Sequence, residues 1–411
     1  MQVHSIPDPS RVRFSGPLAP YAPALASELA ALGYTRTSAT NQLQLAAHLS
    51  RWLEARGASG RDLTPKMVDQ FLLERRCSYA KLHTLRALAP ALGLLRRLSV
   101  VPPEPPPAVS TAPADVLLEE FGRYLAGRRA LTGPVITAYQ HWAGPFTREV
   151  LCAGGACRSG EVTAAEVARF LALRLPAMSR KSAQMTACAI RSLLRYLHAE
   201  AVMPADLAGV VPPVASWRLA GLPKALPARQ VTALLAACDI TSPAGRRDRA
   251  IILLMSRLGL RCAEVAGLLL DDIDWPGGTI TVRGKAGRTD RMPLPADVGQ
   301  ALVAYLTDGR RPVAGTRTVF VTVTAPFTSL RPSSVSCVVG RAADRAGLGT
   351  VHGHRLRHSA ATATLNAGAS LEEVAQLLRH AGVATTVIYA KTNQARLAQL
   401  ARPWPAAAGA R

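Results

Sequence analysis

Four segments in the second half of the chain carry side chains that bind phosphate or move protons. In chain order they place Arg261 in GLRCAEV, Lys285 in TITVRGKAGRTDRMPLP, His354, Arg357 and His358 in HRLRHS, and His380 and Tyr389 in LLRHAGVATTVIYAK. An arginine fork can hold the non-bridging oxygens of a phosphodiester bidentately while negative charge builds up on them, and it does not lose its own charge. The segments therefore predict phosphoryl transfer, with Arg261 and Arg357 stabilising the transition state.

A tyrosine can act as the nucleophile in such a reaction if its proton is removed. The hydroxyl has a reference pKa of about 10, so only about one in a thousand is ionised at neutral pH. His354 is the nearest base to Tyr389 among the motifs, although His352, two residues earlier, keeps that assignment open. Tyr305, the other tyrosine of this part, lies at helical spacing from a leucine in ALVAYL and is predicted to belong to the core.

The leaving sugar oxygen needs a proton, which a lysine can give and an arginine, with a pKa above about 12, cannot. Of the 49 lysines and arginines in the chain only six are lysines, so Lys285 stands out. It lies in a Gly-rich connection between two short runs of β-branched or alternating residues, Thr279–Arg283 and residues 291–294. This pattern predicts a β-hairpin that carries a general acid near its tip.

The order and types of these residues resemble the tyrosine recombinase (phage integrase) family. The family's boxes read Gly-Leu-Arg-x-x-Glu, a hairpin Lys, His-x-x-Arg-His, and Leu-Gly-His followed by Tyr, and they match from about Pro223 to Ala401. The resemblance implies a mainly α fold with a small antiparallel β-sheet in a C-terminal catalytic domain, preceded by helical (SAM-like) DNA-binding domains. It also implies DNA strand cleavage and rejoining through a 3′-phosphotyrosyl intermediate, with no metal or other cofactor.

The resemblance assigns a role to each of eight residues. The catalytic ones are Arg261, Lys285, His354, Arg357, His380 and Tyr389, and the supporting ones are Glu264 and His358. His380 is expected to donate a hydrogen bond to phosphate, although a histidine there could instead bind the last carbonyls of the preceding helix. Glu264 is expected to orient Arg261 or the histidine pair, because a carboxylate facing the phosphate would repel it. His358 is expected to support Arg357.

Two positions depart from the family pattern. Arg379 replaces the glycine of Leu-Gly-His, where it either adds a charge beside the scissile phosphate or lies in a solvated turn. Gly353 stands where the family often has proline before the histidine box. Neither change removes a catalytic group.

Composition agrees with a nucleic-acid partner. The formal net charge of +22 and the pI of about 10.7 come from basic residues spread along the whole chain, and such a surface attracts a polyanion. The longest apolar runs, residues 250–255 and 265–270, are far shorter than the roughly 20 residues that span a bilayer. No secretory signal is visible at the start. We therefore expect double-stranded DNA as the partner, no membrane, and a cytoplasmic, nucleoid-associated location.

The seven cysteines are an odd number at irregular positions, which predicts reduced thiols. Cys152 and Cys157 in CAGGAC, with His141 upstream, could suggest a metal site. No second ligand pair follows at zinc-finger spacing, so the sequence favours a plain loop.

Two Pro-rich breaks, residues 102–107 and 212–227, predict three domains: an N-terminal helical domain (1–108), a helical core-binding domain (109–215) and a catalytic domain (216–411). The first two resemble each other. LTPKMVDQFL (63–72) matches VTAAEVARFL (162–171), and LLRRL (94–98) matches LLRYL (193–197) at the same offset. This favours a duplicated helical module over chance similarity between Ala- and Leu-rich helices.

Helix caps are predicted at three positions. Thr64 and Thr163 each precede a run in which valine, phenylalanine and leucine follow the helical period, and both can cap a helix. Ser370, with Glu373 three residues later, predicts a capping box that opens a helix over residues 371–378.

Arginines of the first block are candidate DNA contacts. These are Arg36, Arg51, Arg75 and Arg76, to which Arg379 of the catalytic block is added. The short amphipathic patch of Leu397, Leu400 and Trp404 after Tyr389 suits docking on a neighbouring protomer, which favours a recombinase that works as a synaptic tetramer. One alternative is a type IB topoisomerase, which relaxes DNA as a monomer. The other is a non-catalytic DNA-binding protein, which would need none of the six catalytic groups.

Overall fold

The computed structural model describes residues 9–104, 111–214, 225–284, 288–313 and 315–379. These residues form fifteen α-helices and one three-stranded antiparallel sheet, so the predicted fold class is confirmed. By its internal contacts the chain divides into two units, Pro105–Ala220 and the combination of Met1–Glu104 with Gly221–Arg411. The three-domain division stays a prediction. Within the described ranges, no helix has the length and apolar character that crossing a bilayer demands.

The first block contains four helices around a leucine-rich core. They are α1 (Ala22–Ala31), α2 (Arg36–Glu54), α3 (Pro65–Ser78) and α4 (Leu85–Arg97), with 3-10 turns at Pro9–Arg11, Ala19–Tyr21 and Gly60–Asp62. Thr64 accepts a hydrogen bond from the Met67 N–H at 3.3 Å, so the predicted cap of α3 is confirmed. The apolar side of α3 packs into the core of this block.

The middle unit repeats this construction. Its helices are α5 (Pro113–Arg129), α6 (Gly133–Phe146), α7 (Ala164–Arg174) and α8 (Arg180–Ala199), with a π-helical turn at Thr147–Leu151 and 3-10 turns at Ala153–Gly155 and Leu207–Val210. Thr163 caps α7 as predicted, and the Glu166 carboxylate accepts a hydrogen bond from the Thr163 N–H at 2.9 Å. The valine, phenylalanine and leucine of the matching segments are buried in both α3 and α7.

The two helical blocks share a further turn. Ser99 after α4 and Ala201 after α8 both have φ 56°. The N–H of the following residue donates a hydrogen bond to the Leu95 carbonyl in the first block and to the Leu197 carbonyl in the second, both at 2.9 Å. These equivalent positions are 102 residues apart rather than 99. The shared turn therefore aligns at an offset three residues larger than that of the matching segments. The duplication itself stays a prediction that this shared turn supports.

The cysteine prediction is wrong for one pair. Cys152 and Cys157 form a disulfide, with Cα atoms 4.0 Å apart. Between them Gly154 and Gly155 have φ of 76° and 87°, a left-handed conformation that glycine adopts readily and that turns the chain back on itself. The other five cysteines are free.

In its described residues the catalytic block contains seven helices, and one of them, Pro243–Arg257, lies in the middle of the core. Its helices are α9 (Ala228–Ala236), α10 (Pro243–Arg257), α11 (Cys262–Ala266), α12 (Ala296–Asp308), α13 (Pro332–Arg345), α14 (Gly353–Asn366) and α15 (Leu371–Leu377), with a 3-10 turn at Leu270–Asp272. Residues 250–255 of α10 are all buried and pack in one cluster with residues of α9, α12, α13 and α14. The helix is therefore apolar all round at this level, which is typical of a core helix.

The sheet consists of β1 (Ile273–Asp274), β2 (Thr279–Arg283) and β3 (Thr289–Pro293) in that order. The register of β2 and β3 pairs Ile280 with Met292 and Arg283 with Thr289. The predicted hairpin is confirmed, although its second strand begins two residues earlier than expected. Strand β1 was not predicted, because two residues are too few to show an alternating pattern.

Candidate active site

Lys285 lies outside the described residues, but the base of its hairpin is described. The Gly284 N–H donates to the Arg288 carbonyl at 2.7 Å, which extends the pairing beyond the last strand residues. Arg283 bonds the buried carboxylate of Asp272 at 2.5 Å, and Arg291 bonds Asp274 at 2.5 Å. These two ion pairs, which the sequence did not reveal, fasten β2 and β3 to the segment that precedes them.

Arg261 is the residue that immediately precedes α11. Its N–H donates to Oε2 of Glu264 at 2.8 Å and its Nη1 donates to Oε1 of the same carboxylate at 2.6 Å. The Arg261 side chain is 39% exposed, whereas that of Glu264 is buried. The carboxylate therefore holds one terminal nitrogen of a guanidinium that is still partly exposed to solvent. The Arg-x-x-Glu spacing is that of a capping box, so this spacing could have signalled the bond from the Arg261 N–H to Glu264.

Several groups act on the pKa of Glu264. Burial alone raises it, but the Arg261 N–H and the charges of Arg379 and Arg261 outweigh burial and lower the pKa below its ordinary value. The carboxylate is therefore ionised at neutral pH and attracts both guanidinium groups.

Arg357, on α14, is 2% exposed. Its Nη1 donates to the Gly259 carbonyl and its Nη2 to the Leu378 carbonyl. Gly259 has φ 61°, and a Cβ there would lie 2.8 Å from a Leu378 methyl group, so the close approach of these two segments requires glycine. Arg357 thus joins the loop before Arg261 to the end of α15.

The start of α14 carries the histidine pair. Gly353 is the first residue of the helix, and a Cβ there would lie 2.7 Å from both Cys262 Sγ and Met255 Cε. This crowding explains why the chain has glycine where the family often has proline. The His354 and His358 rings lie 4.6 Å apart, edge to face.

Both histidines have lowered pKa values. Burial is the largest cause for His358 and, with His354 and Arg357, lowers its pKa to about 4. The pKa of His354 is lowered by partial burial and then by the charges of Arg357 and Arg261, although the residue as a whole stays solvent-exposed. Both imidazoles are therefore neutral at pH 7, and a neutral imidazole can accept a proton.

Arg379 does not lie in a solvated turn, and that expectation is wrong. The residue is 7% exposed, with φ 52°, the left-handed region where the family's glycine fits. Its guanidinium bonds Glu264 at 2.7 Å and the Leu377 carbonyl at 3.0 Å. Burial against a carboxylate also argues against its use as a DNA contact. The sequence could not show this, because Arg379 and Glu264 are far apart in the chain.

Among the other arginines chosen as DNA contacts, Arg36, Arg51 and Arg76 are exposed. Arg75 is buried, which contradicts the prediction. Its Nε donates to the Leu82 carbonyl at 2.9 Å and its guanidinium lies 4.0 Å from the centre of the Tyr79 ring. Arg75 follows Phe71 by four residues on the buried side of α3, so the helical period brings it inward.

The remaining tyrosine of the catalytic block is a core residue, as predicted. Tyr305 is 1% exposed, stacks on Phe320, and its hydroxyl accepts a bond from the Val321 N–H at 3.2 Å. Its burial also raises the pKa of the hydroxyl. His380, Tyr389 and the patch of Leu397, Leu400 and Trp404 lie outside the described residues.

The structure therefore brings Arg261, Arg357 and His354 together. Arg357 donates to the carbonyl of Gly259, two residues before Arg261, and Gly353, next to His354, packs against Cys262, the residue after Arg261. His358 and Glu264 lie directly behind them. The capping box of Ser370 and Glu373 is confirmed, with the Glu373 N–H donating to Ser370 Oγ at 3.1 Å, and α15 ends at Leu377. This helix leads the chain past Leu378, whose carbonyl binds Arg357.

Comparison with known sequences identifies relatives of the whole chain. The model of the phage integrase family matches residues 224–396, close to the region of predicted resemblance. The integrase/recombinase y4rA of Sinorhizobium fredii is 36% identical over 396 residues, covering 95% of each chain. The tyrosine recombinase XerD of Mycobacterium tuberculosis is 38% identical over 221 residues, covering 52% of this chain and 70% of its own.

Solved structures share the fold at low sequence identity. The XerH site-specific recombinase in a post-cleavage complex with its difH substrate has a TM-score of 0.57 and 19% identity, covering 82% of this chain and 95% of its own. A lambda integrase tetramer bound to a Holliday junction has a TM-score of 0.53 and 18% identity, covering 67% and 76%, respectively.

Proposed function

The chain belongs to the phage integrase family of tyrosine recombinases, and from that membership we propose that it performs site-specific recombination of double-stranded DNA with Tyr389 as its nucleophile. The observation that carries the proposal is the convergence of two arginines and a neutral histidine. Arg357 binds the Gly259 carbonyl in the loop before Arg261, and the start of α14, with His354, packs against Cys262 directly after Arg261. A phosphate beside these three groups would meet two permanent positive charges and a proton acceptor.

Strand cleavage is the first step. The Tyr389 oxygen forms a bond to phosphorus, and the bond between phosphorus and the 5′ oxygen breaks. The tyrosine proton passes to His354, and Lys285 gives a proton to the departing 5′ oxygen. Arg261 and His380 bind the non-bridging oxygens, where negative charge develops. Arg357 is buried on two backbone carbonyls in this structure, so it binds a non-bridging oxygen only after exchanging one of these carbonyls for it. The product is a 3′-phosphotyrosyl link and a free 5′-hydroxyl.

Strand joining is the reverse reaction with a new partner. The 5′-hydroxyl of another strand attacks phosphorus, and the bond to Tyr389 breaks. One phosphodiester is consumed and one is formed, so no ATP is needed to drive the exchange.

Glu264 supports the proposed role of Arg261. It binds both the backbone and the side chain of that residue, which limits the rotamers of a long side chain and leaves the outer part of the fork to face DNA. Preorganised charge of this kind needs little reorganisation during the reaction.

We propose that the active assembly is a synaptic tetramer of this chain on two DNA sites, in the cytoplasm and at the nucleoid. The fold shared with a lambda integrase tetramer on a Holliday junction supports this assembly. The exposed Arg36, Arg51 and Arg76 support a second DNA contact in the first block, outside the core site. Phosphate contacts of this type add affinity and set register without reading sequence.

A plasmid assay separates recombination from the topoisomerase alternative. A supercoiled plasmid carrying two copies of the DNA segments that flank the gene would be incubated with the protein. We expect deletion or inversion between the two copies and no exchange in a plasmid that lacks them. Relaxation of both plasmids without exchange would support a topoisomerase, and binding without any strand breakage would support a non-catalytic DNA-binding protein.

A further inference from the structure

Arg379 occupies a backbone conformation that does not favour it. Its φ of 52° lies in the left-handed region, which glycine enters freely and residues with a Cβ enter rarely. The family has glycine at this place in its Leu-Gly-His box. An arginine in this conformation, with its charged group buried, needs a compensating interaction from the surrounding structure.

The compensating interaction is a chain of three charged groups. Arg379 Nη2 donates to Oε2 of Glu264 at 2.7 Å, and both side chains are almost completely buried, at 3% and 4% exposure. The other oxygen, Oε1, accepts from Arg261 Nη1 at 2.6 Å. Glu264 thus bridges the buried Arg379 and the partly exposed Arg261.

Arg379 also holds two parts of the fold together. Its Nη1 donates to the Leu377 carbonyl at the end of α15 and lies 2.7 Å from Sδ of Met292 in β3. The same nitrogen lies 3.4 Å from the Leu258 carbonyl. The guanidinium therefore contacts the helix before the His380 box, the strand after the Lys285 loop, and the loop before Arg261.

Loss of Arg379 has a definite electrostatic consequence. A buried carboxylate with two cations on it stays ionised, whereas one with a single, partly exposed cation has a higher pKa, because desolvation is less well offset. A protonated Glu264 would bind the Arg261 side chain less strongly.

We propose that Arg379 is a positioning residue: it fixes the Glu264 carboxylate so that Arg261 presents its guanidinium to the scissile phosphate. This inference rests on the proposed function, in which Arg261 binds that phosphate. Arg379 itself is buried behind Glu264 and acts through it.

The test compares single-turnover cleavage of a nicked DNA site by the full-length protein and three variants. Arg379→Gly removes the charge but relieves the backbone, Arg379→Lys keeps the charge, and Arg379→Gly/Glu264→Gln removes the carboxylate charge as well. Arg317→Gly is the matched control, because Arg317 forms an exposed ion pair with Asp271. Folded protein is quantified by circular dichroism, and DNA affinity is measured separately.

We expect Arg379→Gly to slow cleavage about 10- to 100-fold, the usual scale for losing a partner behind a site residue, with DNA affinity little changed. Arg379→Lys should recover much of the rate, and Arg317→Gly should cleave normally. In Arg379→Gly a second loss of rate should appear on the acidic side of the pH–rate profile, beside the loss caused by protonation of His354, because the pKa of Glu264 rises. That second loss should vanish when Glu264 is also replaced.

Two results would overturn the inference. One is normal cleavage by Arg379→Gly. The other is a fall in its cleavage rate that is no larger than the fall in the amount of folded protein, together with an unchanged pH–rate profile. The proposed function fails in a different way. In that case the unmodified protein forms no covalent adduct with the nicked site, whatever the variants do.

Discussion

The imidazole rings of His354 and His358 meet edge to face with their centres 4.6 Å apart, one helical turn apart on α14. Neither ring can gain a proton without placing a positive charge beside the other ring and beside Arg357. The pair is therefore held neutral under conditions in which a free histidine, with a pKa of about 6.5, is partly protonated.

Cleavage should stay fast below the pH at which an ordinary histidine becomes protonated. If His354 is the base, the rate falls only as pH passes below its lowered pKa, so the midpoint of the acidic limb should lie below about 6.5. Adduct formation on a nicked site across the acidic range measures this midpoint. A midpoint at or above 6.5, or an unchanged limb in His354→Gln, would contradict the assignment.

The same shift affects stability. A histidine whose pKa is lowered by folding binds fewer protons in the native state than in the unfolded state. Its contribution to the free energy of unfolding is therefore complete above the unfolded pKa and is lost as pH falls towards the folded pKa. For His358 the window runs from about 6.5 down to about 4. Urea unfolding at several pH values should show stability falling with pH through this window. The fall should be smaller in His358→Gln, and an equal fall in both proteins would contradict the prediction.

Lys285→Arg should keep the charge of the hairpin and remove its accessible proton. Cleavage should slow by roughly 100-fold or more, the scale of general acid catalysis. A substrate with sulfur at the 5′-bridging position has a leaving group that needs no proton and should restore the rate. If the sulfur substrate is cleaved as slowly as the oxygen one, Lys285 serves binding instead.

Gly353→Ala should destabilise the protein by about 1 to 3 kcal/mol, because the added Cβ meets Cys262 and Met255 at 2.7 Å. Gly299→Ala is the matched control. Gly299 lies in helix α12, and its nearest neighbour is the Leu294 side chain at an ordinary 3.6 Å. The control should be unchanged or more stable by about 0.5 to 1 kcal/mol. Urea denaturation of both variants checks the difference, and equal stabilities would contradict the crowding argument.

The first block should bind DNA through its exposed arginines. Replacing Arg36, Arg51 and Arg76 by alanine should leave cleavage of a short nicked site intact and weaken binding to a long site. The slope of log affinity against log salt should become shallower by about 0.9 for each lost phosphate contact. Arg97→Ala, which removes an ion pair with Glu28, is the control. An unchanged slope and footprint, with loss of synapsis, would instead assign the block to protein assembly.

Much of the architecture could be predicted from local patterns. The caps at Thr64 and Thr163 and the hairpin at Thr279–Arg283 depend on neighbouring residues, so their signals are complete within short segments. The order of the catalytic motifs was equally visible. Their meeting at one place depends on the packing of α11 and α14 around α10, which no single segment encodes.

The wrong predictions concern charged or reactive residues whose partners are not visible locally. Arg75 and Arg379 are buried because their guanidinium groups donate hydrogen bonds to the His48 ring and to the Glu264 carboxylate, respectively. A sequence gives no sign that such distant residues will meet. Charge alone predicts exposure for arginine. The disulfide of Cys152 and Cys157 depends on the backbone of two intervening glycines, which the spacing of cysteines does not reveal.

The most direct test of the account is the covalent adduct. A nicked, radiolabelled site traps the cleaved state, because the short strand diffuses away and rejoining fails. The unmodified protein and Tyr305→Phe, which changes only a core tyrosine, should form a protein–DNA adduct on denaturing gels. Tyr389→Phe should bind the site and form none. An adduct that persists in Tyr389→Phe, or that disappears in a folded Tyr305→Phe, would contradict the assignment of Tyr389 as the nucleophile.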